Sequence, residues 1–195
     1  DRVAIGAHLN GGTASQAGHV RVYAYSSGSW TQLGSDIDGE ASRDRSGTSV
    51  SINSAGDRVA IGAIYNDGTA SNAGHVRVYE YSSGSWSQLG SDIDGEAADD
   101  ESGTSVSINS DGDRVAIGAI YNDGTASNAG HVRVYEYSSG SWSQLGSDID
   151  GEASRDRSGT SVSINSAGDR VAIGAYYNDG TDTDAGHVRV IEIGS

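Results

Sequence analysis

Apolar and polar positions alternate with a period of two through most of this chain. GTSVSIN (Gly103 to Asn109) sets Val106 and Ile108 on one face and Ser105 and Ser107 on the other. DRVAIGA (Asp57 to Ala63) sets Val59, Ile61 and Ala63 against the small pair Ala60 and Gly62, and GHVRVYEY (Gly74 to Tyr81) sets Val76 and Val78 against Arg77 and Tyr79. Alternation bounded by clusters of Gly, Ser, Asn and Asp predicts strands. SWSQLG (Ser85 to Gly90), with Trp86 and Leu89, is a fourth candidate. No stretch with a helical period competes, so the fold class is all-β.

The same four runs recur. DRVAIGA begins at Asp1, Asp57, Asp113 and Asp169, a period of 56 residues. The chain is therefore a single repeat array of 3.5 units: 1–56, 57–112, 113–168 and the partial 169–195. Units 57–112 and 113–168 differ only at Ala98/Ser154, Asp99/Arg155, Glu101/Arg157 and Asp111/Ala167. Such near-identity points to recent duplication or to deliberate consensus construction. Four short antiparallel strands per unit describe a β-propeller blade, because a β-helix coil needs a far shorter repeat. Antiparallel order puts the short turns SINSAGD and YSSGSW at one end of each blade. The long polar connections IYNDGTASNAGH and GSDIDGEAADDESG then share the other end. A blade cannot bury both faces alone, so blades must stack. The small Ala60/Gly62 face is expected to admit the bulkier side chains of a neighbour.

The order G-x-S-V, S-x-G-D, V-A-I-G-A and G-x-V-x-V-Y, present in each full unit, resembles the FG-GAP repeat of integrin α-subunit propellers and related surface proteins. That resemblance implies an innermost G-x-S-V strand, a ring that usually has seven blades, and calcium in the loop between the first two strands. The sequence departs from the pattern at three places. Ser46, Ser102 and Ser158 stand where the family has Phe, and His8, Ile64, Ile120 and Tyr176 stand where it has Pro. The calcium loop is reduced to NSAGD or NSDGD. In the family's strand order the chain holds four copies of strands two and three but three of strands four and one. Those open edges lead to an expectation of pairing with other copies of the chain, in a closed ring or a filament.

Composition narrows the function classes. The chain of 195 residues has 29 Gly and no Pro, Cys, Met or Phe, and all of its 12 basic residues are Arg. It has no cysteine to cross-link it, no apolar run long enough to span a membrane, no signal peptide and no initiator Met, and reads as a mature product or a fragment. A net charge of −15 argues against nucleic acid and anionic membranes, which require basic patches.

Candidate chemistry is mostly acidic. SDIDGE supplies Asp92, Asp94 and Glu96, with Asp36, Asp38, Glu40 and Asp148, Asp150, Glu152 in the other units. Acids at i, i+2 and i+4 of an extended loop point to one side, as a hard cation such as calcium needs; the competing reading is an Asp-Gly turn with solvated acids. Asn109, Asp111 and Asp113 form a second candidate calcium set, against a plain β-turn. Asp179, Asp182 and Asp184 in the last long loop form a third. His19, His75, His131 and His187, one per unit, are read as structural strand-end residues. Trp30, Trp86 and Trp142 are read as inter-blade packing, with sugar stacking as the alternative. No catalytic residue is assigned: the motif elements of known hydrolases are absent, and every reactive residue type recurs in each unit.

One place breaks the repeat. GEASRDRSG, with Arg43 and Arg45 or Arg155 and Arg157, becomes GEAADDESG, with Asp99, Asp100 and Glu101. Alternating charge on neighbouring loops suggests an assembly contact that sets register. The expectation from sequence is thus a non-enzymatic extracellular or cell-surface protein that works by adhesion or self-assembly. A glycan or protein ligand is compatible with it. The alternatives are a lectin-like carbohydrate-binding module and a designed repeat without natural ligand.

Overall fold

The computed structural model describes residues 1–194 and contains only strands, turns and loops. Four antiparallel sheets follow one another along the chain. The first blade comprises β1 (Arg2–Ala7), β2 (His19–Ser26), β3 (Ser29–Gln32) and the two-residue β4 (Ile37–Asp38). The second comprises β5 (Ser46–Ile52), β6 (Arg58–Ala63), β7 (His75–Ser82), β8 (Ser85–Gln88) and β9 (Ile93–Asp94). The third repeats this order as β10 (Ser105–Ile108), β11 (Arg114–Ala119), β12 (His131–Ser138), β13 (Ser141–Gln144) and β14 (Ile149–Asp150). The fourth holds β15 (Ser161–Ile164), β16 (Arg170–Ala175) and β17 (His187–Glu192). All four strands expected per unit are present where the unit is complete. The short Ile-Asp strand was not expected: it turns back and pairs with the start of the third strand, Ile93 opposite Val76 and Asp94 opposite His75.

Register explains how two faces are buried. Val59 lies opposite Tyr79 and Ile61 opposite Arg77, while Ala60 lies opposite Val78 and Gly62 opposite Val76. The first set faces the preceding blade and the second faces the following one. Ala60, Val76, Val78, Leu89 and Ile93 accordingly pack against Val106, Ile108, Val115 and Ile117 of the third blade. The same exchange joins the first blade to the second and the third to the fourth. Burying each such aliphatic side chain contributes about 1.5–3 kcal/mol, so the seams hold the array together.

At Ala60 the small face admits the next blade's aliphatic side chains, as expected, and at Gly62 it admits backbone. A Cβ on Gly62 would collide with the carbonyl oxygen of Gly103, which is backbone of the next blade. Gly118 meets Gly159 in the same way. The innermost strands β5, β10 and β15 thus pack backbone to backbone, and their serines stitch them. Ser49 Oγ donates to Gly103 O (2.6 Å) and Ser105 Oγ to Gly159 O (2.7 Å), while Ile108 N donates to Ser51 Oγ and Ile164 N to Ser107 Oγ (3.1 Å each). Trp86 and Trp142 lock the outer edge by donating Nε1–H to Leu33 O and Leu89 O of the preceding blade (2.7 Å each). Their indoles are committed to packing and give no free sugar platform.

Candidate functional site

Two kinds of site recur at the loop end of the blades. The first lies at the seams and begins with the turn-back of the Ile-Asp strand. Because β9 pairs with the first two residues of β7, Asp92 arrives beside His75. Arg77, two residues on, faces the preceding blade. Its Nη2 donates to Asp38 O (2.9 Å), and its Nη1 lies 3.2 Å from Glu40 Oε1. Glu40, His75 and Asp92 thereby converge across the seam, with their ligating atoms all within 4.8 Å of one another. The next seam repeats the set as Glu96, His131 and Asp148. There His131 Nδ1 lies 3.9 Å from both Glu96 Oε2 and Asp148 Oδ2, while Arg133 Nη1 holds Glu96 Oε1 at 3.3 Å. Burial, aided by the Arg77 charge, pulls the His75 imidazole down to about 4, and His131 is lowered for the same reasons. These residues are so placed that they could hold a metal ion.

The acids of SDIDGE therefore do not act as one set. Asp92 serves its own blade, whereas Glu96 crosses to the next, and Asp94 lies in β9 with its side chain exposed. Asp148, Asp150 and Glu152 divide likewise: Glu152 crosses to His187, 3.6 Å from its Nδ1. In the first blade His19, Asp36 and Asp38 cluster within a single blade. Asp36 is gripped there by Arg21 Nε and Nη2 (2.9 and 2.8 Å) and by Gln32 (2.7 Å). The Arg21 bonds hold its carboxyl down at about 2. Sequence reasoning passed over the histidines as strand-end residues. The signal present was a constant offset, His19 to Asp36, His75 to Asp92 and His131 to Asp148.

The NSDGD turn closes on itself. Asn109 Oδ1 accepts from the amides of Asp113 and Arg114 (3.1 and 3.0 Å), and its Nδ2 donates to Asp113 Oδ1 (2.8 Å). Asp111 stands exposed outside these bonds. Asn109 Oδ1 and Asp113 Oδ1, two of the oxygens a cation would use, are spent on the turn.

The second kind of site is a cleft at each crossing between the long loops. Between the third and fourth blades a cleft of about 470 Å³ is lined by Asn128, Ser154, Arg155, Arg157, Tyr177, Asp179 and Asp184. One repeat earlier a cleft of about 420 Å³ is lined by Ala98, Asp99, Glu101, Tyr121, Asp123 and Asn128. The two are the same place in the blade with different charge: the later cleft sets two arginines against two aspartates, and the earlier one carries three acids and no base. Arg157 is enclosed by aromatic rings, its guanidinium carbon 4.9 Å from the Tyr121 centroid and 5.0 Å from that of Tyr177, and its Nη1 donates to Tyr176 OH (2.7 Å). In the first unit Arg45 sits 4.5 Å over the Tyr65 ring. Burial pushes the Glu101 carboxyl up, against the pull of Arg45 and Arg157 on either side. Asp179 accepts the amide of Asp184 (2.7 Å), while Asp182 accepts that of Thr183 beside it (2.8 Å) and does not line the cleft.

Asp100 has to be withdrawn from the surface charges. It is 3% exposed, and its Oδ2 accepts from Ala97 N (3.1 Å) and from Asn122 Nδ2 of the next blade (3.0 Å). Asp44 and Asp156 make the same pair of bonds. The flanking positions take the left-handed backbone, with φ of 64° at Asp99 and 53° at Glu101, and 71° and 52° at Arg155 and Arg157. The middle acid is a fixed anchor, and only the two flanking side chains are free to change sign.

Solved structures share this kind of fold. A candidate 6-phosphogluconolactonase from Bacteroides uniformis aligns with a TM-score of 0.56 at 10% identity, over 90% of this chain and 49% of that one. The periplasmic gluconolactonase of Pseudomonas aeruginosa aligns with a TM-score of 0.54 at 13% identity, over 98% of this chain and 49% of that one. The fold is propeller-like. The chain spans about half the length of these two structures. No protein-family profile matches it, and no curated protein does. The expectation of a non-enzymatic adhesion or lectin-like protein is corrected by this finding, since the structures built of the same kind of blades are named lactonases. The reasoning that identical units leave no room for an active site also fails on geometry. Units two and three diverge at the lining of the clefts, where unlike groups gather. Among the described residues no helix is long and apolar enough to cross a membrane.

Proposed function

We propose that the chain is part of a propeller enzyme that hydrolyses a sugar lactone carrying an anionic group, with the cleft between the third and fourth blades as its substrate site. The observation that carries this reading is the convergence of Arg155, Arg157, Tyr177, Asp179 and Asp184 on one cleft large enough for a monosaccharide. Two guanidiniums suit a phosphate or carboxylate, which they bind in a planar, forked geometry. The Tyr177 ring offers an apolar face to the sugar. The Asp179 and Asp184 carboxylates accept hydrogen bonds from sugar hydroxyls, and one takes the proton of the attacking water. Water adds to the lactone carbonyl, the ring C–O bond breaks, and the proton passes to the ring oxygen to leave a hydroxy acid. The lactonase names of similarly folded proteins support the substrate class, and the periplasmic location of one of them goes with work outside the cytoplasm.

The test is proton release from gluconolactone and from its 6-phosphate, compared with spontaneous opening. Arg157→Gln should raise KM for the phosphorylated substrate about tenfold, and Asp179→Asn should lower kcat. Hydrolysis no faster than the spontaneous rate on either substrate would discard the reading.

The outward faces of the end blades bear on partners. Ile5 and Trp30 of the first blade are 52% and 51% exposed, and Val188 and Val190 of the fourth are 68% and 67% exposed. Their counterparts are the two surfaces that meet at every internal seam. In this reading their occupant is another blade of the same repeat, whether from the same polypeptide or a second copy.

A further inference from the structure

We propose that the two complete seams, Glu40–His75–Asp92 and Glu96–His131–Asp148, are binding sites for a divalent transition metal of the zinc class, each clamping one blade to the next.

Acid clusters alone are common on so acidic a surface, and it is the histidines that single these out. His75 and His131 are each 1% exposed, and the Nδ1 of each is buried without a hydrogen-bond partner. Buried polar atoms are almost always paired, so an orphaned imidazole nitrogen aimed at carboxylates needs an occupant. His75 Nδ1 lies 3.7 Å from Asp92 Oδ2, too far for a hydrogen bond. Around a tetrahedral ion with bonds of about 2.0–2.2 Å, ligand atoms stand roughly 3.3–3.6 Å apart. The His–carboxylate separations of 3.7 and 3.9 Å would close by a few tenths of an ångström, and the wider ones in each set, all within 4.8 Å, by about an ångström through a swing of the half-exposed carboxylates.

The surroundings fit a metal site further out. Arg133 holds Oε1 of Glu96 and so leaves Oε2 turned to His131, which is how outer partners commonly orient a ligating carboxylate. The guanidinium charge weakens binding, and the two carboxylates offset it. Asp92 and Glu40 are 33% and 45% exposed, so a bound ion would keep a position open to water. One imidazole and two carboxylates favour the zinc class over calcium, which takes six to eight oxygens.

The molecule carries its own controls. His19 has only Asp36 and Asp38 of its own blade beside it, no Glu from a preceding blade, and both oxygens of Asp36 are already committed to Arg21 and Gln32. His187 meets Glu152 alone among the described acids. The chain should therefore bind two ions and not four.

Metal-stripped protein titrated with Zn²⁺ in a calorimeter, and analysed for metal after dialysis, should take up two equivalents. His75→Ala and His131→Ala should each remove one, while His19→Ala and His187→Ala keep both. Glu40→Gln and Glu96→Gln, at half-exposed positions that spare the fold, should weaken one site each by at least tenfold. Saturation should raise the melting temperature, and a hundredfold excess of Ca²⁺ should displace neither ion. The proposal is overturned if Zn²⁺ does not bind, if Ca²⁺ displaces it, or if two equivalents persist in a folded variant carrying both His75→Ala and His131→Ala or both Glu40→Gln and Glu96→Gln.

Discussion

The two clefts at the loop end are built on one frame and differ in charge, one lined by three acids and the other by two arginines and two aspartates. Between the second and third blades Asp99 and Glu101 face Tyr121 and Asp123; between the third and fourth, Arg155 and Arg157 face Tyr177 and Asp179. Their backbones have the same left-handed residues, and the same buried aspartate, Asp100 or Asp156, ties the loop to an asparagine of the next blade. Unit two carries a net charge of −8 and unit three −3; the cleft residues account for four of the five charges and Asp111, which is Ala167 in unit three, for the other. The lesson is that a repeat can vary its chemistry wherever a fixed residue between two free ones holds the loop in place.

The comparison is broken most severely through the frame. Asp156→Ala removes two hydrogen bonds to a buried carboxylate, each worth about 1.5–3 kcal/mol, and should lower unfolding free energy by about 3–6 kcal/mol. Asp100→Ala should do the same on the acidic side. A loss under 1 kcal/mol in denaturant titrations would mean that the anchors do not hold the clefts. Charge exchange comes next. Arg155→Asp with Arg157→Glu leaves the cleft between the third and fourth blades with acids and no base, and binding of inorganic phosphate or gluconate should fall at least tenfold, about 1.4 kcal/mol. Asp99→Arg with Glu101→Arg should create a second anion site. Stability in both cases should stay within about 0.5 kcal/mol, because exposed charges contribute little.

Ionic strength gives a milder contrast. Raising salt from about 0.02 M to 0.5 M should weaken anion binding to the arginine-bearing cleft several-fold, because the Debye length shrinks below the reach of the two guanidiniums. The smallest effect belongs to Glu101. Burial raises its pKa in the folded state, so its charged form is disfavoured there at neutral pH. Glu101→Gln should leave the melting temperature unchanged or slightly higher at pH 7. The difference from the parent should vanish in acid, as both states of the parent become protonated. A clear fall at pH 7 would show that Glu101 is paired with Arg45 or Arg157 in a way that outweighs its burial.

Much of the blade was legible from residue order. Strand periodicity in VAIGA and HVRVYEY marked real strands, and Gly-rich breaks marked real turns, since both follow from local geometry. The candidate sites were only partly legible. The Asp-Ile-Asp-Gly-Glu run looked like one ligand set because its acids alternate, but a turn-back in the middle sends Glu40 and Glu96 to a different blade from Asp36 and Asp92. His75 looked structural because its partners lie 17 residues ahead in one direction and 35 behind in the other. Asp100 looked like surface because it sits between two charged neighbours, and burial is not written in a charge run.

Sequence alone determined the repeat, the strands and the places where units differ, because these depend on spacing and on side-chain alternation within a few residues. Tertiary structure decided which blade each polar side chain serves. Stacking brings Glu40 to His75, Trp86 to Leu33 and Arg157 to Tyr177, across 35, 53 and 20 positions of chain. No local rule specifies such contacts. They exist because each blade must bury both faces, and because the close approach of Gly62 to Gly103 sets how near the next blade comes.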